Sequence, residues 1–443
     1  MNKFPNAFVI IFYAILFAWI LTFIIPKGNY QREHNIVNNQ TSVVPNSYEQ
    51  KEAPNLSAFN ALLAIPKGIA GRADLIVLIL LLGGCFYLIE KTGALNQGLN
   101  KLITLLKGEE IYALTIITLL FLTAGFTIAL QEEIIAMTPI LLLFGRTLGY
   151  NPSTIVTASY GSAVVGAAFS PFNPFGVLIA QKEADVELLS GAGYRLIFLL
   201  IASVVWILFI VHYAGRNRVE KSKLDLNIEG LTSRNKVILT LLALTFGIVT
   251  YGLIAQSWGF NEMSVCFFVL AILCGLVANF GLNKTTEIYV DGFKEMISAC
   301  VIIGLANSIT IILSEGLIVD TIVYGLFSPL QDVPPSISAV LMMISQTVLH
   351  FPIPSYSGQA ILTMPILTPL ADLIGLSRQV CVLAYQYGAI IMDVIVPTNG
   401  ALMAVLALAG IKYNNWVRLI IKPTLVILGI ASIAILIAVQ IGF

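Results

Sequence analysis

Pro139-Ile140-Leu141, Gly149 and Pro171-Phe172-Asn173 return 226 positions later as Pro365-Ile366-Leu367, Gly375 and Pro397-Thr398-Asn399. Both copies lie in apolar sequence, and each sets a proline and an asparagine where a membrane helix would run unbroken. Proline removes a backbone donor and clashes with the carbonyl one turn back, so each copy should unwind there. Unwound backbone at membrane depth survives only inside protein or against a cavity. A duplicated, interrupted apolar segment is therefore the sequence mark of a secondary transporter's central site.

Composition agrees. Of 443 residues, 58% are hydrophobic and 11% are charged, against about 25% charge in soluble domains. Runs such as 8–25, 196–213, 237–253 and 425–441 are long enough to cross ~30 Å of hydrocarbon as helices. The first run is followed by no small-x-small cleavage site, so it reads as a retained span. No Lys/Arg cluster of the nucleic-acid-binding kind is present. Cysteines 85, 266, 274, 300 and 381 all sit in apolar stretches without a C-x-x-C pair, which points to neither disulfides nor zinc. Without H-E-x-x-H or G-x-S-x-G, the chain reads as no enzyme.

The expected fold is an all-α integral membrane protein with about nine transmembrane helices. They are placed near 6–26, 73–92, 153–182, 193–213, 236–255, 262–282, 297–316, 378–410 and 416–441. Two apolar pairs, 110–148 and 335–375, are each interrupted by a polar tip, Gln131-Glu132-Glu133 and Ser355 to Gln359. They read as re-entrant hairpins, although two full spans per pair would leave every other loop on the same side. With the N-terminus in the cytoplasm and the C-terminus outside, the expected inner loops hold 16 of the 24 Lys and Arg residues. Five crossings separate the two copies, which makes them an inverted repeat. The chain then divides into a first helix and external loop (1–56), a first repeat (57–215), a basic linker with two helices (216–283) and a second repeat (284–443). Amphipathic stretches near 57–70 and 286–296 should lie in the interface.

The chemistry gathers at the breaks and tips. From Pro152 to Lys182 is 31 residues, about 46 Å of straight helix, more than the bilayer needs. Ser170, Asn173 and Pro174 mark its break; Thr398 and Asn399 mark the break in 378–410. Ser170, Asn173, Thr398, Asn399 and free carbonyls offer oxygen ligands for Na⁺, and half-helix N-termini offer positive dipole ends to a carboxylate. Glu132 and Glu133 are ionisable groups at membrane depth, costly and usually functional; alternatively they start the hairpin's second arm. Asp393, four residues before Pro397, reads as a buried acid at the site. Ser355, Ser357, Gly358 and Gln359 supply hydroxyl, amide and backbone groups. His350 reads as a hydrogen-bonded core residue rather than a proton carrier. Lys and Arg are absent from both tips and both breaks.

At these residues the sequence resembles a family. Pro354–Met403, PSYSGQAILTMPILTPLADLIGLSRQVCVLAYQYG followed after five residues by VIVPTNGALM, resembles the YfcC-like transporters, to which basic amino acid antiport is ascribed. Glu132-Glu133, Asn173-Pro174-Phe175 and Ile25 to Tyr30 fit as well. The resemblance covers nearly the whole chain and extends to the anaerobic C4-dicarboxylate carriers (DcuC) of the ion-transporter superfamily. It implies a homodimer of scaffold and moving transport domains, an elevator mechanism, and a site built from tips and broken helices. In one departure, Ala389 stands where similar proteins often carry an acid, and Asp393 follows a turn later.

The expectation is a bacterial inner-membrane carrier for a small carboxylate-bearing substrate, an amino acid and by resemblance a basic one. Na⁺ or H⁺ is its coupling ion, and the chain holds no other cofactor. The alternative is a Na⁺-coupled C4-dicarboxylate carrier. A channel would need a continuous polar pore, where these repeats predict one occluded site.

Overall fold

The computed structural model describes residues 7–35, 40–44, 47–95, 97–98, 101, 110–220, 231–256 and 258–443. Lys3, Lys107, Lys221 and Lys223 of the charge map, and residues 221–230 of the basic linker, lie outside the described residues. The chain is helical. Among the described residues six helices are long and apolar enough to cross a membrane: Ala73–Lys91, Glu110–Ile128, Ala192–Arg216, Phe260–Val277, Leu282–Glu315 and Tyr413–Ile441.

Helix α1 (Ala7–Ile24) leads into a segment with two small antiparallel sheets. Strand β1 (Gly28–Asn29) pairs with β4 (Glu49–Gln50), and β2 (Arg32–Asn35) with β3 (Gln40–Val43). Helices α2 (Ala58–Ala70) and α3 (Ala73–Lys91) follow, meeting at a corner of two residues. The first hairpin is α4 (Glu110–Ile128) and α5 (Glu133–Thr147). Its two ends meet at Arg218, whose Nη1 donates to Leu148 O at 2.9 Å and lies 3.9 Å from Glu110 Oε2.

The first interrupted helix starts as α6 (Pro152–Val156), passes through a π-turn (Thr157–Gly161) into α7 (Ser162–Ala168), breaks, and resumes as α8 (Val177–Glu183). Long helices α9 (Ala192–Arg216), α10 (Ser233–Ala255), α11 (Phe260–Val277) and α12 (Leu282–Glu315) come next. Short α13 (Val319–Phe327) precedes the second hairpin, α14 (Pro335–Leu349) and α15 (Tyr356–Leu373). The second interrupted helix is α16 (Arg378–Ile391), a 3₁₀ turn (Met392–Val394), the break, and α17 (Gly400–Leu408); α18 (Tyr413–Ile441) closes the chain.

The repeat is visible in the caps. Gly149 (φ +76°) and Gly375 (φ +72°) turn the chain in left-handed conformation, which glycine adopts at no steric cost. Two residues on, Asn151 and Ser377, again 226 apart, cap α6 and α16 by accepting from Thr154 N (2.8 Å) and Val380 N (3.2 Å). Within the second copy, Thr347 Oγ1 donates to Gly388 O at 3.1 Å, so α14 lies alongside α16. Tyr385 Oη donates to Tyr356 O at 2.6 Å, holding α15 on the same helix, against which it runs after the turn at 374–377.

Close contacts use glycine, as helices do where lipid removes the hydrophobic drive. A Cβ on Gly166 would fall 2.2 Å from Leu122 O, and one on Gly388 2.2 Å from Met343 O. The same device corrects one expectation. Residues 286–296 are not a separate interfacial segment but the first half of the 34-residue α12. Its apolar face, with Tyr289, Gly292 and Met296, is buried on α3, where Gly84 and Gly292 bring the two backbones together. The boundary expected at 283/284 accordingly falls in the first turn of that helix. Helices α1, α2, α3, α11 and α17 pack around α12; α4, α7, α9, α14, α15, α16 and α18 pack together; α5 lies against α3, α6 and α17.

Candidate functional site

Both tips and the second break meet at Asp393, which is 2% exposed. Its Oδ2 accepts from Gln131 Nε2 at 2.9 Å, while Oδ1 accepts from Asn399 Nδ2 at 2.5 Å and faces His350 Nε2 at 2.7 Å. Tyr160 Oη reaches Asn399 Oδ1 (3.2 Å) and Asp393 O (3.3 Å). Thr398 Oγ1 ties the break to the loop between α14 and α15, just before the second tip, by donating to Phe351 O at 2.7 Å. These contacts gather where the backbone of the interrupted helix opens between Val394 and Gly400.

Local sequence dictates these placements. Ala129 takes a left-handed φ of +54° that turns α4 into the tip, a conformation costly for a residue with a Cβ. Glu133 Oε2 accepts from Gln131 N at 3.2 Å, a carboxylate at the start of α5 where the helix dipole favours it. Asn399 Oδ1 accepts from Leu402 N at 2.9 Å and so caps α17. That backbone bond fixes the amide, leaving Nδ2 to face Asp393.

A second backbone bond fixes His350. Gln359 Nε2 donates to Gln346 O at 2.8 Å, so Gln359 Oε1 is the atom 2.8 Å from His350 Nδ1. Nδ1 then donates to Gln359 Oε1, while Nε2 faces Asp393 Oδ1. His350 is thus a hydrogen-bonded core residue, as read from the sequence, and also a direct partner of the site's central acid.

The first break is satisfied differently. Ser170 Oγ donates to Phe126 O at 2.6 Å and accepts from Phe172 N at 3.2 Å. Asn173 Oδ1 accepts from both Phe175 N and Gly176 N at 3.0 Å, across Pro174. Ser170 O accepts from Gln386 Nε2 at 2.8 Å. Gln386 stands 226 positions after Tyr160, so the same place in each copy bonds across to the other copy's break.

A cavity of about 520 Å³ opens beside this hub, lined by Gln131, Glu132, Glu133, Ser355, Ser357, Asp393 and Asn399 and also by Arg72, Asp74, Phe175, Trp258 and Met263. A void of about 80 Å³ shares Arg72, Glu132, Ser355 and Asn399 with it and adds Thr398, Asn307 and Thr310. Ser170, Asn173, Pro174, Gly358 and Gln359 line neither. The four residues expected to share Na⁺ therefore fall into two places, with Thr398 and Asn399 at the void and Ser170 and Asn173 away from it. Among the described residues no cluster of three His, Cys, Asp or Glu side chains forms a metal centre. Arg72 is the residue that sequence reasoning missed. It was counted with the external loop, although an arginine directly before an apolar helix signals a cation at that helix's mouth.

A model of the C4-dicarboxylate anaerobic carrier family matches residues 4–440. The chain belongs to that family. This DcuC-family chain is accordingly a multi-pass membrane transporter, and not an enzyme. It is 28% identical to YfcC of Escherichia coli strain K12, to which basic amino acid antiport is ascribed, over 94% of this chain and 92% of that protein. It is 27% identical to an uncharacterized protein of Haemophilus influenzae over 99% of this chain and 97% of the other. Two solved structures align with 99% of the chain. They are the YdaH transporter of Alcanivorax borkumensis (99% of that chain, TM-score 0.45, 15% identity) and MtrF of Neisseria gonorrhoeae, from a class of antimetabolite efflux pumps (96% of that chain, TM-score 0.42, 16% identity). In this DcuC-family carrier the cavity holds four carboxylates, Asp74, Glu132, Glu133 and Asp393, against one arginine.

Proposed function

We propose that this carrier is a secondary active transporter for a small amino acid, bound in the 520 Å³ cavity at Asp393 and coupled to Na⁺, H⁺ or exchange. The observation that carries the reading is the surplus of carboxylates beside a single arginine. An α-amino acid needs one cationic and one anionic partner, and further acids suit a basic side chain. Volume supports it, since small-molecule sites run to roughly 300–1,000 Å³. In this reading the hairpins are re-entrant, and the repeats are inverted about the hub in the bacterial inner membrane. The N-terminus is cytoplasmic, and a homodimer works by an elevator motion of the group that contains α7 and α16. Ser170, Asn173, Thr398 and Asn399 remain the proposed Na⁺ ligands, now as two pairs.

Arg72 favours a second reading, a Na⁺-coupled C4-dicarboxylate carrier, because it gives the cavity a partner for an anion. Uptake into proteoliposomes, with L-arginine and succinate as competitors, separates the two. Inhibition by L-arginine alone is expected; inhibition by succinate alone would replace the amino acid reading with the dicarboxylate one.

A further inference from the structure

Arg72 sits at the corner between α2 and α3, and the corner is bolted to α12. Asn307 Nδ2 donates to Gly68 O at 3.1 Å, and a Cβ on Gly68 would fall 2.4 Å from Ser308 Oγ and 2.5 Å from Gly304 O. The Arg72 backbone is held at both ends, by Arg72 N to Ile69 O at 3.2 Å and Ile76 N to Arg72 O at 3.0 Å. Its side chain is half-buried and lines both the 520 Å³ cavity and the 80 Å³ void. Four carboxylates share the larger lining, yet among the described residues the guanidinium makes no ion pair within 4.0 Å and no hydrogen bond.

Such a group has a physical meaning. A guanidinium offers five donors in a planar fork that fits a carboxylate with two parallel bonds. Facing a cavity with those donors unspent, it is prepared for an oxygen pair that the chain does not itself supply. The acids Glu132, Glu133 and Asp393 come from the first tip and the second break, whereas Arg72 belongs to the helices around α12. A cargo with opposite charges at its two ends would bridge the α2–α3 corner and these acids.

We infer that Arg72 is the residue that binds the carboxylate end of the cargo, and that recognition therefore spans the α2–α3 corner and the first tip and second break that share the cavity with it. The inference rests on the transport reading above and deepens it, and the shared chemistry, a carboxylate, holds for an amino acid and a dicarboxylate alike.

The full chain in proteoliposomes provides the test. L-Arginine and agmatine share a guanidinium side chain, and only L-arginine has a carboxylate. The wild type should prefer L-arginine to agmatine as a competitor by on the order of 10- to 100-fold, the worth of a charge-assisted pair. Arg72→Gln should cut that preference to within about threefold by weakening L-arginine and not agmatine. Arg72→Lys keeps the charge without the fork and should fall between. If Arg72→Gln does not fold, Arg72→Lys decides, and an unchanged preference overturns the assignment. So does equal weakening of both competitors, which would make Arg72 only a counter-charge to Glu132. If the wild type takes succinate, succinate against its mono-amide gives the same comparison. A wild type that takes none of these probes overturns the transport reading itself, and the Arg72 assignment falls with it.

Discussion

Replacing Asp393 by alanine strands three donors at once: Gln131 Nε2, His350 Nε2 and Asn399 Nδ2. Gln131 and Asn399 face the 520 Å³ cavity, where water can take the place of the lost carboxylate. His350 is fully buried and lines neither cavity at the site, so its loss stands. Breaking a buried charged pair from one side costs about 3–5 kcal/mol, and Asp393→Ala should fall in that range. Asp393→Asn should be milder. Because Leu402 N pins the Asn399 amide, the new side chain must turn its oxygen to Asn399 and its NH₂ to Gln131. Gln131 can rotate its own amide to accept. His350 Nε2 keeps an oxygen opposite it, since Oδ1 faces both groups, and loses only the carboxylate's charge, at about 1–2 kcal/mol. Equilibrium unfolding in mixed micelles measures both variants. An alanine variant within about 0.5 kcal/mol of wild type, or an asparagine variant worse than alanine, would refute the hub as described.

Glu133→Gln should abolish coupled uptake in proteoliposomes while the fold is retained; unchanged transport and coupling would remove Glu133 from the mechanism. Gly388→Ala forces a Cβ to within 2.2 Å of Met343 O, so α14 must move, at about 1–3 kcal/mol or more. Gly325→Ala, with nothing within 4 Å of its Cβ, is the control in the same unfolding assay. Asp320 accepts from Tyr30 N at 2.9 Å and pairs with Arg32 at 2.8 Å. Asp320→Ala should therefore expose residues 27–55 to protease. Arg32→Ala, which removes a partner 41% exposed, should change cleavage little, because exposed pairs are worth about 0–1 kcal/mol.

The interrupted helices were legible because their prolines come with caps and polar neighbours. Pro139 and Pro365 show the limit of that signal: they too recur at matching places, yet each stays inside a continuous helix, α5 or α15. A single proline costs a helix one bond, whereas Pro171 and Pro174 flank Asn173, and Pro397 precedes Asn399, whose side chains take over the freed amides. Asp393 could be picked out as an acid in apolar sequence. Its partners could not all be, because His350 and Gln131 reach it only through tertiary packing. Arg72 escaped for the same reason: a charge count sees which loop an arginine follows, not which cavity it faces. The length of α12 was hidden by polar residues at 283–287, which read as a loop until Gly84 explains why the helix continues along α3.

Tyr160 and Gln386, at one place in the duplicated sequence, each reach into the opposite copy's gap. Neither half can be cut loose intact. Expressed alone, each would leave its opened main chain short of a donor that only its twin provides, so this reciprocal clasp makes each copy depend on the other.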